Sequence, residues 1–423
     1  MKPRQATLVK HQEAPLPREV ESLLNSVVCD SGTPQGLSCP GATKNFKRKI
    51  KACFVAVLLG VVLAHHVALL FLTFIIERKE HSAIRRALAC LRVGCSVVVA
   101  SLMFRRDTSV TATKCQLAFL YRCLPQLNPP SLQPRKINML VWVANVFAFF
   151  NVIFAAAHSF LPDMNAKARE AYLAELWFGL KASLLQPAIA DALWAVESVV
   201  YALSADVYIF NVAVMYTVCC ALLKARLCDF RMSLQWRRHR GVTNWRGFES
   251  LCNELRRVER LHLRLAQAAE HFEDVFSPMV FWICVASVAD ICNNLYNFFD
   301  HNLNNFASPT HRVYWLRRWV VYARFGFGVV LFILLSASAA AVNEEGPLAL
   351  SEVERLTLDA EDVDASEAHL RVLSLLSRFS RPYVQLTVWK VFDLSRGFVI
   401  RVLGAIVTYG VIVLQFVHFD EPA

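Results

Sequence analysis

The chain has 423 residues, of which 56% are hydrophobic and only 19% are charged, and its formal net charge is +11. Soluble globular proteins carry about a quarter charged residues, so this composition excludes an ordinary soluble protein and indicates a polytopic membrane protein. The basic excess is concentrated in loops assigned to the cytoplasm below, and it therefore implies no nucleic-acid partner.

Seven segments have the apolar character of membrane-spanning helices. A span needs about 20 largely apolar residues, and the segments that meet or approach this length are 52–76, 88–104, 137–160, 184–218, 275–299, 319–342 and 400–417. Residues 1–50 precede them and mix Pro, Gly, Ser and charge without periodicity, which predicts a disordered cytoplasmic tail. The second segment is short and contains Arg92. The pattern predicts an all-α polytopic membrane protein with seven transmembrane helices.

The distribution of Lys and Arg predicts the orientation of these helices. Cytoplasmic loops accumulate basic residues, and 30 of them lie in 1–51, 105–136, 224–274 and 343–383, against 10 in the loops of the other side. The N-terminus is therefore predicted to be cytoplasmic and, after seven spans, the C-terminus extracellular. All 13 cysteines fall in cytoplasmic or membrane segments, which suits reduced thiols. No metal or cofactor is predicted, and no Cys-x2-Cys pair suggests zinc.

Two regions between the spans are predicted to be cytoplasmic helix extensions. Spans one to four occupy 52–218, and in 219–274 apolar residues recur every three to four positions at Leu251, Leu255, Val258, Leu261, Leu265 and Ala268. Spans five and six occupy 275–342. Region 343–399 is predicted to hold a linker and a cytoplasmic helix over 384–399, because the ionisable side chains there are too costly to face lipid: Lys390, Asp393, Arg396 and the following Arg401. The seventh span is then 400–417, and 418–423 form a short extracellular tail.

One polar stripe runs along the last span. Thr408 and Gln415 are seven positions apart and share a helix face, with Ala405 and Ile412 on nearly the same stripe. A mostly apolar stripe with a polar residue near each end suits a pore that closes by excluding water. The same polar residues are also suited to hydrogen bonds between packed helices. The residues alone leave both interpretations open.

The end of this span resembles the C-terminal signature of the insect gustatory receptors. That signature is Thr-Tyr, five hydrophobic residues and Gln-Phe in the seventh span, and Thr408, Tyr409, Gln415 and Phe416 match it. The resemblance implies a tetrameric ligand-gated cation channel whose seventh spans line a central pore and whose cytoplasmic helix extensions form a shared anchor. It implies a gate at Gln415 and Phe416, on a pore that Thr408 and Ile412 also line.

Two acidic residues follow directly after the implied gate. They are Asp420 and Glu421, and we expect several copies of them to attract cations at the pore mouth. Neutralising both is expected to lower cation conductance.

Three shorter runs are similar to the sugar-receptor branch of that family. Residues 339–345, Ala-Ala-Ala-Val-Asn-Glu-Glu, resemble the branch's Ala-x-x-Ile-Asn-Glu-Glu at the end of the sixth span. Residues 293–296 are similar to its Asn-Asn-Leu-Tyr, and Asp206 stands where the branch has Asp-Leu-Phe. The resemblance implies that the ligand is a mono- or disaccharide.

A sugar site needs carboxylates and amides that pair with hydroxyl groups, and aromatic faces for the C–H groups of the ring. Spans four to six carry such residues at helical spacing, and acids within spans mark polar cavities. The predicted ligand-binding residues of this outward-facing pocket are Asp191, Trp194, Glu197, Asp290, Asn293, Asn294, Trp315, Trp319 and Tyr322. Alternatively, the Asn residues hold helices together and the Trp residues form an interfacial belt. Arg324 faces away from them and is predicted to join an internal charge pair.

These observations predict a gustatory receptor that acts as a ligand-gated non-selective cation channel in the plasma membrane of chemosensory neurons. Its predicted partners are the sugar, monovalent and divalent cations, the lipid bilayer, and further copies of the chain or related receptors. A receptor for bitter or other non-sugar tastants is the alternative. A G-protein-coupled receptor is disfavoured, since the chain lacks Asp-Arg-Tyr after the third span and Asn-Pro-x-x-Tyr in the seventh. No enzyme is predicted, because no nucleophile with its base, phosphate-binding loop or metal cluster is recognisable.

Overall fold

The computed structural model describes residues 80–123, 206–241, 248–299, 311–358, 385–389 and 391–419, with single helical positions between 50 and 67 and between 139 and 153. These ranges are helical apart from one small hairpin, as the composition predicts. In chain order the elements are α1 (Glu80–Cys123), α2 (Tyr208–Gly241), α3 (Phe248–Phe299), α4 (His311–Leu358), β1 (Thr387–Val388), β2 (Phe392–Asp393) and α5 (Arg396–Phe419). Residues 1–49 of the predicted tail lie outside these ranges.

Three helices in the described ranges contain stretches that are long and apolar enough to cross a membrane, by length and composition. The stretches are Tyr208–Gln235 in α2, Arg260–Tyr296 in α3 and Val321–Glu352 in α4. They overlap predicted spans four, five and six. The total of seven spans and the orientation of the termini stay predictions.

The apolar stretch of α2 continues well past residue 218, where the sequence pattern ends the fourth span. It includes Arg226, whose guanidinium lies 2.9 Å from the carboxylate of Asp229, and both side chains are buried. The two charges neutralise each other within one helical turn, so the helix stays packed in the bundle beyond this basic residue.

Three of the long helices run antiparallel to α3, and α5 runs parallel to it. Arg92 near the start of α1 contacts Asp290 near the end of α3, and Arg106 further along α1 reaches Asp274, so the two helices are antiparallel. α2 is also antiparallel to α3. α4 runs against α3 as well, while α5 runs parallel to it, because the hairpin before α5 lies at Ser277 and Gly410 in α5 lies at Leu295.

Aromatic side chains fill the core between α2, α3 and α4. Tyr216 stacks on Phe272 with ring centroids 5.2 Å apart, and Phe272 contacts Phe276 at 4.9 Å. Leu265 and Ala268 are buried on the same side of α3. The helix predicted from the periodicity of 251–268 is thereby confirmed; its position outside the bilayer stays a prediction.

Pro278 interrupts the hydrogen-bond ladder inside α3. Proline has no N–H, so the carbonyl of Asp274, four residues earlier, loses its helical partner. Arg106 in α1 donates to this carbonyl and, at 3.3 Å, to that of Val275. α1 is therefore fastened to α3 at the point where the ladder is broken.

Residues 386–389 and 391–394 belong to a β-hairpin, so the helix predicted over 384–399 is wrong there, and only its last residues, 396–399, are helical as the first turn of α5. Thr387 pairs with Asp393 and Val388 with Phe392 in antiparallel register. Trp389 has φ of 51°, a left-handed conformation that ends any helix. The physical reason lies in the side chains, because β-branched and aromatic residues favour strands and because folding back buries Leu386, Val388 and Leu394 against the bundle.

Candidate functional site

A buried ionic cluster joins three helical segments at the centre of the bundle. The guanidinium of Arg92 in α1 donates to the carboxylate of Asp290 in α3 at 2.6 Å and to the carboxylate of Asp206, just before α2. The three residues are 8%, 4% and 4% exposed, in the order Arg92, Asp206 and Asp290. Charges so far from water are retained only when they are paired and hydrogen-bonded.

The cluster holds two carboxylates for one guanidinium. Asp290 also lies within electrostatic range of Arg324 on α4, and the internal charge pair predicted for that arginine stays a prediction. The positive charges of α1 and α4 therefore both favour the charged form of the same carboxylate of α3. Removing one of the four groups changes the balance of charge inside the bundle.

This cluster changes the interpretation of the predicted pocket residues on α3. Asp290 is engaged by Arg92, and the Asn294 amide donates to the Asp290 backbone carbonyl of its own helix at 2.7 Å. Asn293 differs, because its amide oxygen is buried and accepts no hydrogen bond from any described residue. Two of the three side chains thus already have partners, and Asn293 keeps an unused acceptor.

The predicted aromatic residues of α4 lie on its outer surface. Trp319 is 60% exposed and Tyr322 is 40% exposed, and their rings meet edge to face at 6.2 Å. Trp315 lies in the first turns of the same helix, and its side chain is outside the described part. Within a single chain, these two aromatic rings face outward.

The predicted pocket residues of the fourth span lie outside the described residues, as do both residues of the predicted pore mouth. They are Asp191, Trp194 and Glu197 for the pocket, and Asp420 and Glu421 for the mouth. Their roles stay predictions.

The last helix α5 buries one narrow face. Ile406 and Gly410 face the bundle, and a Cβ added at Gly410 would lie 2.9 Å from Cδ2 of Leu295 in α3. These two residues are four positions apart and so lie above one another on one face of the helix. α5 is held against α3 through this face.

The predicted pore residues lie on the opposite, exposed face of α5. Thr408, Ile412 and Gln415 are all exposed, and the Thr408 hydroxyl donates to the carbonyl of Gly404 at 3.0 Å. That bond is internal to the helix, so Thr408 makes no polar contact with a neighbouring described helix through it. Phe416 belongs to α5, but its side chain is outside the described part.

No group of His, Cys, Asp and Glu side chains suited to a metal ion occurs among the described residues. The eight cysteines whose side chains are described form no disulfide bond. That the chain needs no metal stays a prediction.

Comparison with known proteins gives the family. Residues 36–418 match the family model of the 7tm chemosensory receptors. The chain belongs to this family. Among curated protein sequences, no relative matches this receptor.

Solved structures of similar fold include an insect olfactory receptor. The receptor is similar to OR5 from Machilis hrabei at a TM-score of 0.61 and 14% identity, over 94% of this chain and 98% of the other. It is similar to the same protein in complex with eugenol at a TM-score of 0.63 and 14% identity, over 94% and 97% of the two chains. At this identity the likeness shows the shared fold, which extends over nearly the whole receptor.

Sequence reasoning missed Arg92 as a partner of the two aspartates. The signal was present, because an arginine inside an apolar segment is costly and must find a counter-charge. Which acids it meets could not be read from the sequence, since Asp206 and Asp290 are 114 and 198 positions away.

Proposed function

We propose that this receptor is one subunit of a ligand-gated non-selective cation channel in which copies of α5 surround a central pore. The single observation that carries the proposal is the division of α5 into two faces. Ile406 and Gly410 pack on α3, while the stripe through Thr408, Ile412 and Gln415 stays uncovered within one chain. A stripe with a hydroxyl and an amide near its ends suits a water-filled conduit better than lipid.

A tetramer agrees with this division of α5. The matched signature of the seventh span resembles that of channels built from four subunits, and four exposed stripes would face one another around the axis. In this arrangement Gln415 and Phe416 form the gate, and Asp420 and Glu421 form the outer mouth. Both homomers and heteromers with related receptors satisfy the geometry.

We further propose a gustatory role with a mono- or disaccharide as the ligand, in an outward-facing pocket among spans four to six. Asn293 supports a polar ligand, because its buried amide oxygen accepts no hydrogen bond from a described residue and could accept one from a ligand hydroxyl. The ion pair of Asp290 supports a structural role for this residue, and the pocket's acids are then Asp191 and Glu197. Trp319 and Tyr322 offer an aromatic pair at the rim.

A non-sugar tastant is the second candidate ligand. It is favoured by the structure of Machilis hrabei OR5 with eugenol, a small aromatic molecule, which has the same fold. The apolar surroundings of α3 and α4 suit such a ligand as well as a sugar.

The channel proposal is tested by expressing the chain alone and recording from excised membrane patches without nucleotides. The panel contains glucose, fructose, sucrose and maltose, with eugenol and bitter compounds as the second arm. A current evoked by a sugar supports the first ligand, and a current evoked only by the second arm supports the alternative. Patches that stay silent to both arms would reject direct gating of a homomeric channel of this chain.

The pore stripe is tested by reactivity of introduced cysteines. Thr408→Cys is expected to react with a water-soluble thiol reagent and to reduce the evoked current, because water reaches the stripe. Val407→Cys is the matched control, since Val407 is exposed but lies about 100° around the helix from Thr408. Equal reactivity at both positions would argue against a pore on the Thr408 side.

A further inference from the structure

Residues 343–345, Asn-Glu-Glu, each contact a different element of the fold. Asn343 bonds the hairpin, Glu344 pairs with Arg396 at the start of α5, and Glu345 pairs with Arg231 in α2. We propose that these residues and the hairpin 386–394 form the mechanical link that carries movement of α3 and α4 to the pore helix. The inference rests on the proposed channel function and assigns the residues that transmit the movement.

Asn343 holds both ends of the hairpin with one side chain. Its amide nitrogen donates to the carbonyls of Leu386 at 2.9 Å and Leu394 at 3.0 Å, and its amide oxygen accepts from the Leu386 N–H at 2.6 Å. Both leucines are buried. Without Asn343 these backbone groups would lose partners in a place that water reaches poorly.

α3 holds the first strand and the turn of the same hairpin. The Ser277 hydroxyl donates to the Thr387 carbonyl at 2.9 Å and accepts from the Trp389 N–H at 2.5 Å, while the Thr387 hydroxyl bonds the Glu273 carboxylate. The Trp389 ring packs edge-on against the Phe281 ring, with ring centroids 4.9 Å apart. The hairpin is therefore fixed to α3 and α4 together.

The ion pair between α4 and the start of α5 is weaker than the bonds that hold the hairpin. The Arg396 guanidinium lies 2.6 Å from the Glu344 carboxylate, but the two side chains are 80% and 46% exposed. Exposed ion pairs contribute little net stability, whereas breaking bonds to buried backbone groups is costly. When α4 moves, we expect the hairpin to move with it. The angle between the hairpin and α5 then changes at the first turn of α5.

The hairpin bonds are tested without any channel recording. Asn343→Ala removes all three bonds, and we expect the Leu386 amide to exchange with deuterium about tenfold faster in purified protein. Ser338→Ala is the matched control on α4, because its hydroxyl donates to Leu334 within its own helix. Exchange that stays at the wild-type rate in Asn343→Ala would overturn the proposal.

The coupling itself is tested by separating binding from current. The probe is the sugar mixture or eugenol, whichever opens the wild-type channel. Binding is measured as the increase in the receptor's melting temperature that the probe causes, relative to sorbitol at equal osmolality. Asn343→Ala is expected to keep the thermal shift and to lose most of the maximal current, whereas Ser338→Ala behaves as wild type. Binding and current that fall in equal proportion would overturn the link.

The ion pair is tested by exchanging its charges. Glu344→Arg and Arg396→Glu are each expected to shift the half-maximal probe concentration by about threefold in the same direction, and the double variant to return near the wild-type value. Strictly additive shifts would overturn the role of the pair. If the wild-type chain gives no probe-evoked current, the channel proposal is overturned. If wild type and Asn343→Ala give equal currents, only the proposed mechanical link is overturned.

Discussion

Arg92 and Asp290 lie 198 positions apart in the sequence and form a 2.6 Å ion pair inside the helix bundle. The same guanidinium bonds Asp206, so one side chain of α1 holds the start of α2 and the C-terminal part of α3. The pair connects the segments that we propose to surround the ligand.

Arg92→Met is expected to lower the free energy of unfolding by about 3–5 kcal/mol, because it removes the cation that is hydrogen-bonded to both buried carboxylates. Thermal unfolding followed by fluorescence-detected gel filtration in detergent measures the loss. Arg92→Lys keeps the charge without the two-pronged geometry and should fall between wild type and Arg92→Met. Equal melting temperatures for wild type and Arg92→Met would contradict the structural role.

The two carboxylates are expected to be partly redundant. Asp206→Asn or Asp290→Asn alone leaves one carboxylate for Arg92 and should cost only about 1 kcal/mol. The double variant removes both carboxylates from the guanidinium and should cost about 3–5 kcal/mol. The comparison uses the same melting assay, and a double variant no worse than the sum of the singles would show that the two acids do not share one partner.

Gly328 is expected to be required for the close approach of α4 to α3. A Cβ there would lie 3.0 Å from Cγ1 of Ile291 and 3.3 Å from the Ser287 carbonyl oxygen, so Gly328→Ala should destabilise by about 1–3 kcal/mol. Gly326 has nothing within 4 Å of an added Cβ, and Gly326→Ala should stabilise by up to about 1 kcal/mol. The opposite order of melting temperatures would show that α4 packs differently.

Gly410 is expected to set how closely α5 lies against α3. An added Cβ meets the end of the Leu295 side chain at 2.9 Å, and this side chain can rotate, so Gly410→Ala should cost about 1 kcal/mol. Leu295→Ala in the same chain should restore the melting temperature, and the control Gly404→Ala, with nothing within 4 Å, should stabilise slightly as at Gly326. No recovery in the double variant would place the clash elsewhere.

Neutralising the predicted pore mouth should reduce single-channel cation conductance. The double variant Asp420→Asn, Glu421→Gln removes two negative charges from each subunit, and the effect should weaken as salt screens the charges. Asp393→Asn is the control, because this exposed acid lies before α5, at the end away from residue 420. Equal conductance of the double variant and wild type at low salt would contradict the proposal that Asp420 and Glu421 attract cations at the pore mouth.

The hairpin shows where local sequence patterns misled us. The charges at Asp393, Arg396 and Arg401 predict that this stretch is not a lipid-facing span, but the predicted helix also extended backward over residues that form the two strands, whereas α5 begins only at Arg396. Burial of Leu386 and Leu394 and the bonds from Asn343, 43 and 51 positions earlier, decide in favour of strands. Partners this far apart in the sequence cannot be recognised from the spacing of residues within one short segment.

By itself, the sequence determined that the protein is helical and rich in membrane-spanning stretches, and the end of its last helix pointed to the chemosensory receptors. These properties depend on hydrophobicity and on short spacings along one helix, which neighbouring residues fix locally. Only the tertiary structure decided that Arg92 joins Asp206 and Asp290, that Asn343 holds a hairpin, and that α5 buries its Gly410 face. Each of these depends on which helices lie side by side, and that choice is made by packing and charge pairing between residues far apart in the chain.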